Sequence, residues 1–159
     1  FESLNLSLRQ ILPTQPALKV ERLKEGLLAL YLSENGLWFS SRLISEGTLR
    51  VIALLSTIYP KSPATVVAFE EPENGVHPVR LKIIAEALKN AAYQYGKQII
   101  VTTHSPILPE YFDDWDLFVC SREEKQTTIK AFSTYGSLYR RRDIGHALED
   151  RILRGDFGG

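Results

Sequence analysis

The sequence lacks methionine, has almost no cysteine and carries no excess of either charge. Cys120 is its only cysteine, which excludes an intramolecular disulfide and favours a reducing, cytoplasmic location. Lys plus Arg and Asp plus Glu both number 19, so the net charge is zero. This balance excludes a basic field over the whole surface, although it leaves a local basic patch open.

The sequence also lacks an apolar run long enough to cross a membrane and a recognisable signal peptide, so we expect no membrane partner. The chain begins at Phe1 without methionine, and we therefore expect it to be part of a longer polypeptide. Its 159 residues are 44% hydrophobic and 24% charged, values typical of a globular domain. We expect residues 1–159 to form a single domain.

Hydrophobic spacing predicts a mixed α/β fold. Helical intervals predict helices over Phe1–Leu12, from Gly47 to the residue before Pro60, and over Pro78–Tyr95, Pro106–Tyr111 and Asp143–Leu153. Alternating or β-branched runs predict strands over Ala17–Leu23, Leu27–Leu32, Leu37–Phe39, Thr65–Phe69, Gln98–Thr102, Asp116–Cys120 and Thr127–Phe132. The buried face of the long third helix is predicted to comprise Leu81, Ile84, Ala85, Leu88 and Ala92.

Two connections define the predicted sheets. The pair Asn35-Gly36 accepts positive φ at low cost and therefore predicts a hairpin within an antiparallel N-terminal meander. The strand–helix–strand order from Thr65 to Thr102 predicts a parallel βαβ unit, and we expect both of its strands to be buried.

The strand predicted over Thr65–Phe69 ends in two adjacent carboxylates, Glu70 and Glu71. In open α/β sheets, ligands bind beyond the carboxyl ends of the strands. Two carboxylates there suit a cation, an activated water molecule or both. The alternative is a strand end that carries two solvated acids.

Two further segments carry candidate site residues. The first begins a predicted helix, where free amides bind anions such as phosphate; it comprises Ser45, Glu46, Gly47 and Thr48. Its simpler interpretation is a serine N-cap. The second segment places His104 at the end of the strand Gln98–Thr102, so that parallel pairing would bring His104 and Glu71 to one edge of the sheet.

The order of these three segments resembles the C-terminal half of an ABC-type ATPase head. The resemblance is greatest to the branch that includes RecF, SMC and OLD-family proteins and the AAA ATPases of phage-defence and toxin systems. It covers Leu43–Cys120 and rests on Ser-Glu-Gly-Thr, an apolar run with Glu-Glu-Pro-Glu, and Thr-Thr-His-Ser-Pro. It implies a P-loop NTPase-like α/β fold in which parallel core strands are flanked by antiparallel strands.

The resemblance also implies a role for each segment. The signature motif, which contacts the γ-phosphate of ATP held by the opposite protomer, corresponds to Ser45, Glu46, Gly47 and Thr48. Glu70 falls at the Walker B acidic position, which supports Mg²⁺ through water, and Glu71 at the catalytic glutamate, which polarises the attacking water. Asn74 to His77 correspond to the D-loop at the dimer interface. His104 is similar to the switch histidine that senses the γ-phosphate.

The chain departs from the family pattern in three ways. Glu46 stands where ABC signatures commonly have glycine, and Glu70 stands where aspartate is usual, although paired glutamates recur in the OLD-like branch. The phosphate-binding loop Gly-x-x-x-x-Gly-Lys-Ser/Thr does not occur in this sequence. In the family it precedes the signature motif, so we expect this chain alone to bind ATP weakly and to hydrolyse it negligibly.

The leading hypothesis is Mg²⁺-dependent ATP hydrolysis by a homodimer that sandwiches the nucleotides. It is coupled to DNA repair or maintenance, or to phage defence or toxin function, with DNA, a toxin or a nuclease as candidate partner. The alternative is a non-hydrolysing, nucleotide-gated clamp that binds DNA or a protein. A third hypothesis is a two-metal nuclease site built from Glu70, Glu71 and Glu73. The cluster Arg140–Arg142 either contacts nucleic-acid phosphates or forms a solvated face.

Overall fold

The computed structural model describes residues 2–12, 14, 16–59, 61–123 and 125–135. The chain divides into two compact units, Phe1–Thr102 and Thr103–Gly159, and each is described by itself. The helix predicted over Asp143–Leu153 and the cluster Arg140–Arg142 lie outside the described residues.

The first unit contains the predicted antiparallel meander. Strands β1 (Ala17–Arg22), β2 (Leu28–Glu34) and β3 (Leu37–Ser40) form a sheet in the order β1-β2-β3. The turn between β2 and β3 has φ of 50° at Asn35 and 82° at Gly36. Consecutive positive φ angles are typical of the tight turns that match the twist of a hairpin. The hairpin predicted from Asn-Gly is therefore confirmed.

Three helices build the core of the first unit, because each turns a stripe of aliphatic side chains inward. Helix α1 (Glu2–Ile11) contacts α2 (Glu46–Ile58), α3 (Leu81–Tyr93) and β1. The most deeply buried side chains, each with at most 2% of its surface exposed, include Leu8, Leu32, Val51, Ile84 and Leu88. No helix in the described residues combines the length and the apolarity that a membrane crossing requires.

Strands β4 (Val66–Glu70) and β5 (Gln98–Thr102) pair in parallel with α3 between them, so the predicted βαβ unit is confirmed. The helix predicted over Pro78–Tyr95 starts instead with a 3₁₀ turn, Pro78–Arg80, and continues as α3. Proline suits such a first turn because it has no N–H to leave unpaired. The predicted buried face is confirmed except at its end, where Ala91 is buried and Ala92 is half-buried.

The prediction that β4 and β5 are buried is wrong in the described residues. Val66 is 57% exposed and Ile100 is 50% exposed, whereas Val67 is 5% exposed. Helix α2 contacts β4 and α3 contacts β5, and successive side chains of a strand point to opposite faces. A β-branched run therefore predicts a strand, but it does not show how many of its faces are covered.

The second unit contains the antiparallel pair β6 (Phe118–Glu123) and β7 (Gln126–Ala131), in agreement with the predicted edge pair. The hydroxyls of Ser121 and Thr128 form a 2.8 Å cross-strand hydrogen bond. The helix predicted over Pro106–Tyr111 is shorter than expected, because only Leu108–Tyr111 forms a 3₁₀ turn. Two prolines in this stretch have no N–H to donate, which limits helical hydrogen bonding.

Candidate active site

Glu71 is the first residue beyond β4, and its backbone is unusual. Its N–H donates to the carbonyl of Thr102 at 2.9 Å, which extends the β4–β5 ladder by one residue. Its φ is 45°, a left-handed conformation that costs a residue with a side chain about 1–2 kcal/mol. Such conformations persist where the surroundings fix them, and they cluster at functional sites.

The loop after Glu71 folds back on that residue. The backbone N–H of Asn74 donates to the carbonyl of Glu71 at 3.0 Å, and the side-chain Nδ2 of Asn74 donates to Glu71 Oε2 at 2.5 Å. Two residues further on, the N–H of Val76 donates to the carbonyl of Glu73 at 2.9 Å. Backbone and side chain of Glu71 are therefore both held by its own loop.

Glu70 ends β4 with an exposed side chain, opposite Thr102 in the parallel register. Among the described residues, no three or more His, Cys, Asp and Glu side chains form a group able to hold a metal ion. The two-metal nuclease hypothesis for Glu70, Glu71 and Glu73 stays a prediction. Mg²⁺ commonly binds through one or two carboxylates together with substrate phosphates and water.

The segment from Ser45 to Thr48 begins α2, a helix of 13 residues. Ser45 Oγ accepts from the N–H of Thr48 at 3.2 Å and donates to Thr48 Oγ1 at 2.9 Å. The serine N-cap inferred from the sequence is therefore present. An α-helix leaves its first four amides without intrahelical partners, so this end of α2 also has the chemistry that attracts a phosphate.

Glu46, the acidic residue in the signature-like segment, pairs with Arg50 one turn along α2. Arg50 Nε and Nη2 donate to Glu46 Oε1 at 3.1 and 2.9 Å. Both side chains are exposed, Glu46 at 79% and Arg50 at 44%, so the pair contributes little to stability. It does place a cation beside the additional carboxylate at the start of this helix.

Gly47 brings the signature-like segment against the loop that follows Glu71. A Cβ built on Gly47 would lie 2.0 Å from the carbonyl oxygen of Gly75, far inside any tolerated contact. Gly75 has φ of 75°, a conformation in which glycine meets no steric cost. The backbone of Gly47 therefore lies against that of Gly75 in the same chain.

The remaining predicted residues lie in two different settings. His77 Nδ1 accepts from the N–H of Val79 at 3.4 Å and so caps the 3₁₀ turn before α3. His104 belongs to the second unit and is exposed. Hydroxyls on both sides of it shape the backbone: Thr103 Oγ1 accepts from the N–H of Ser105 at 2.9 Å, and Ser105 Oγ accepts from Ile107 and Leu108 at 3.2 and 3.3 Å.

Sequence reasoning missed two contacts within the first unit. The side-chain bond from Asn74 to Glu71 joins residues that the resemblance assigned to separate roles, the D-loop and the catalytic glutamate. The contact between Gly47 and Gly75 joins segments 28 positions apart, and no local pattern predicts it. A pair such as Asn74-Gly75 favours a turn, but a local pair does not show what that turn contacts.

Comparison with known proteins gives the family. The profile of the family described as "AAA domain, putative AbiEii toxin, Type IV TA system" matches residues 4–108, which is more than half of the 159 residues. The chain belongs to this AAA family. The matched range contains the signature-like segment, both glutamates and His104. A comparison with curated proteins found no significant match.

Solved SMC ATPase heads are similar to this AAA chain in fold. A structure from a study of ATP-driven dimerization and DNA-stimulated activation of SMC ATPases has a TM-score of 0.65 and 17% identity, covering 93% of this chain and 92% of that one. The Smc head of Pyrococcus yayanosii, with a coiled coil and joint, has a TM-score of 0.68 and 15% identity, and the match covers 93% of this chain and 28% of that one. The Smc head of Pyrococcus furiosus, bound to the C-terminal domain of ScpA, has a TM-score of 0.59 and 15% identity, and the match covers 94% of this chain and 38% of that one.

These comparisons confirm the fold class inferred from the sequence. The AAA chain has the P-loop NTPase-like α/β fold of an SMC or ABC ATPase head, with parallel β4–β5 and antiparallel flanking strands. At 15–17% identity the likeness to SMC heads establishes the fold alone. It spans 28% and 38% of the two Pyrococcus chains. Family and fold together indicate a nucleotide-binding protein of the ATPase type.

Proposed function

We propose that the longer polypeptide containing this chain is a Mg²⁺-dependent ATPase whose heads dimerise around bound nucleotides. The observation that supports this most is the fixation of Glu71. A carboxylate at the carboxyl end of a parallel strand, held by hydrogen bonds to its backbone and side chain, suits a group that orients a water molecule and accepts its proton. Phosphoryl transfer depends mainly on such positioning and on charge stabilisation.

Glu70 would hold Mg²⁺ through water, beside the phosphates of ATP. Bound Mg²⁺ would neutralise charge on the transferring phosphoryl group. The exposed carboxylate of Glu70 at the end of β4 suits this water-mediated contact, since Mg²⁺ sheds its hydration reluctantly. The phosphate-binding loop itself would come from the part of the polypeptide that this sequence does not include, and the 159-residue chain alone would hydrolyse ATP negligibly.

The start of α2 would contact the γ-phosphate of ATP held by the partner protomer. Ser45 and Glu46 are exposed, and Gly47 packs its backbone on Gly75. Within one protomer this contact links the segment that would face the partner's nucleotide to the loop that holds Glu71. Assignment of His104 to γ-phosphate sensing, and of Asn74 and His77 to the dimer interface, rests on the family resemblance.

The cellular role would be DNA repair or maintenance, or phage defence through a toxin system. The family description names a toxin and a type IV toxin–antitoxin system, and the similar solved structures are SMC heads, one of them from a study of DNA-stimulated activation. DNA, a toxin or a nuclease is the corresponding candidate partner. The competing function is a clamp that ATP closes on DNA or a protein without needing turnover.

Hydrolysis by the full-length polypeptide, compared with its Glu71→Gln variant, tests the proposal. Gln keeps the size of Glu71 and a carbonyl acceptor for Asn74, but it cannot take up a proton at neutral pH. We expect kcat to fall about 100-fold or more, with ATP-dependent dimers retained. Phosphate release gives the rate, and size-exclusion chromatography with light scattering gives the dimer.

The matched control is Glu86→Gln, the same change on the exposed face of α3, where Glu86 is paired only loosely with Lys82 at 3.9 Å. Its kcat should equal that of the wild type. Absence of hydrolysis in the wild-type polypeptide, with nucleotide still bound, would exclude the enzyme and favour the clamp. Wild-type activity that survives Glu71→Gln would leave an ATPase whose base is another residue.

A further inference from the structure

Asn74 makes two hydrogen bonds to the same residue, Glu71. Its backbone N–H donates to the Glu71 carbonyl at 3.0 Å, and its side-chain amide donates to the Glu71 carboxylate at 2.5 Å. An ionised carboxylate only accepts hydrogen bonds, so the Nδ2 group of the amide must be the part that faces it. The donor is therefore aimed at the group to which we assign the proton transfer.

The backbone hydrogen bond lowers the entropic cost of forming the side-chain hydrogen bond. Both residues are accessible to water, and an isolated exposed hydrogen bond competes with solvent and contributes little. Here the backbone bond already fixes Asn74 beside Glu71, so the side-chain bond has only rotamers to order. A hydrogen bond to a charged group is also stronger than one between neutral groups.

Backbone contacts flank the pair on both sides. On one side, the N–H of Glu71 is bonded to the carbonyl of Thr102 in β5. On the other side, the backbone of Gly75 packs against that of Gly47 at the start of α2. Asn74 thus lies between two backbone contacts, and its amide donates to the carboxylate of Glu71.

We propose that Asn74 is a positioning residue that fixes the rotamer of the Glu71 carboxylate for attack of water on ATP. This inference rests on the proposed ATPase function and deepens it. It gives Asn74 a role within its own protomer, in place of the dimer-interface role that the family resemblance implied. A carboxylate offers about four acceptor sites, and the bond from Asn74 uses one of them, on Oε2.

The test measures kcat and KM for ATP in the full-length polypeptide with Asn74→Ala and Asn74→Asp. Alanine removes the donor, and aspartate keeps the shape but places a second carboxylate where the donor was. We expect kcat to fall about 10-fold or more in Asn74→Ala, and further in Asn74→Asp, because like charges at this distance repel. The KM for ATP and the ATP-dependent dimer should stay unchanged. Asn90→Ala, the same change on an exposed position of α3, is the control and should leave kcat unaltered.

A double variant separates positioning from a general structural effect. Residues that act as a unit are strongly non-additive, so Asn74→Ala should reduce the residual single-turnover rate of Glu71→Gln no further. An equal loss in both backgrounds would show that Asn74 acts independently of Glu71 and would overturn the inference. A rise in kcat would overturn it too, because the bond would then restrain Glu71 from acting.

Two other outcomes separate this inference from the proposed function. If Asn74→Ala weakens ATP-dependent dimerisation and recovers wild-type kcat at high protein concentration, Asn74 is an interface residue and the inference fails while the ATPase function stands. If Glu71→Gln abolishes hydrolysis and the Asn74 variants match the wild type, the inference again fails alone. If the wild-type polypeptide does not hydrolyse ATP, both fail together.

Discussion

At the scale of single residues, Gly47 shows how a contact with a residue distant in sequence can require glycine. Glycine is unfavourable inside helices relative to alanine by about 1 kcal/mol, so helix formation alone would favour alanine in α2. The carbonyl of Gly75 occupies the place that a Cβ would need. Packing between two segments therefore outweighs the local preference of the helix at this position.

We predict that Gly47→Ala destabilises the protein, although alanine is the better helix former. A methyl group 2.0 Å from the Gly75 oxygen must displace backbone, and overpacking of this kind typically costs about 1–3 kcal/mol. Urea denaturation of the full-length polypeptide measures the change in the free energy of unfolding. Ala53→Gly, at an exposed position of the same helix, calibrates the propensity effect. A Gly47→Ala variant as stable as the wild type would contradict the close contact.

At the scale of elements, Lys97 forms hydrogen bonds to the segment before β4 and to helix α3. Only 6% of this residue is exposed. Its Nζ donates to the carbonyls of Ser62 and Ala64 at 3.0 and 2.5 Å, just before β4, and its N–H donates to Ala91 in α3 at 3.1 Å. The lysine stands one residue ahead of β5, so it links the start of both strands to the end of the helix between them.

We predict that Lys97→Met lowers the free energy of unfolding by about 2 kcal/mol. Methionine matches the length of the buried stem but leaves the carbonyls of Ser62 and Ala64 without this donor, and an unsatisfied buried polar group costs about 1–3 kcal/mol. Chemical denaturation measures the loss. The control Lys82→Met, on an exposed side chain, should stay within about 0.5 kcal/mol of the wild type. Equal effects at both positions would show that the Lys97 bonds are not stabilising.

At the scale of the whole molecule, the proposed dimer requires each active site to combine residues of both protomers. Glu71 would serve the nucleotide of its own protomer, whereas Ser45 would serve that of the partner. Ser45→Asp tests this arrangement, because aspartate caps a helix about as well as serine but brings a negative charge to the γ-phosphate. The control Ser45→Asn caps equally well without the charge.

We predict that Ser45→Asp and Glu71→Gln polypeptides, each inactive alone, recover ATP hydrolysis when mixed. In an equimolar mixture, about half of the dimers would contain one protomer of each variant. One of the two sites in each of these dimers would be complete, so about a quarter of the wild-type rate should return. Phosphate release from mixtures of varied ratio measures the recovery, and Ser45→Asn should lose less activity than Ser45→Asp. No recovery, despite formation of mixed dimers, would exclude sites shared between protomers.

Much of the fold could be predicted from the sequence, because the signals are local, whereas the roles of the site residues stay predictions. The pair Asn35-Gly36 accepts the positive φ angles of a tight hairpin turn. Ser45 precedes the first apolar residues of a helix that it can cap. The strand–helix–strand order around α3 has few solutions other than parallel pairing. Glu70 and Glu71 could be identified as site candidates because two adjacent carboxylates follow a predicted strand at its carboxyl end, where ligands bind in open α/β sheets.

The sequence by itself determined most of the described elements, the parallel unit and the family, since these depend on periodicity, turn chemistry and short motifs. Only the tertiary structure decided which face of β4 is covered, that Gly47 meets Gly75, and that Asn74 points its amide at Glu71. Each of these depends on the three-dimensional approach of groups or on a single rotamer. Such contacts follow from how the elements pack, and a residue pattern along the chain carries no distance between segments that are far apart in sequence.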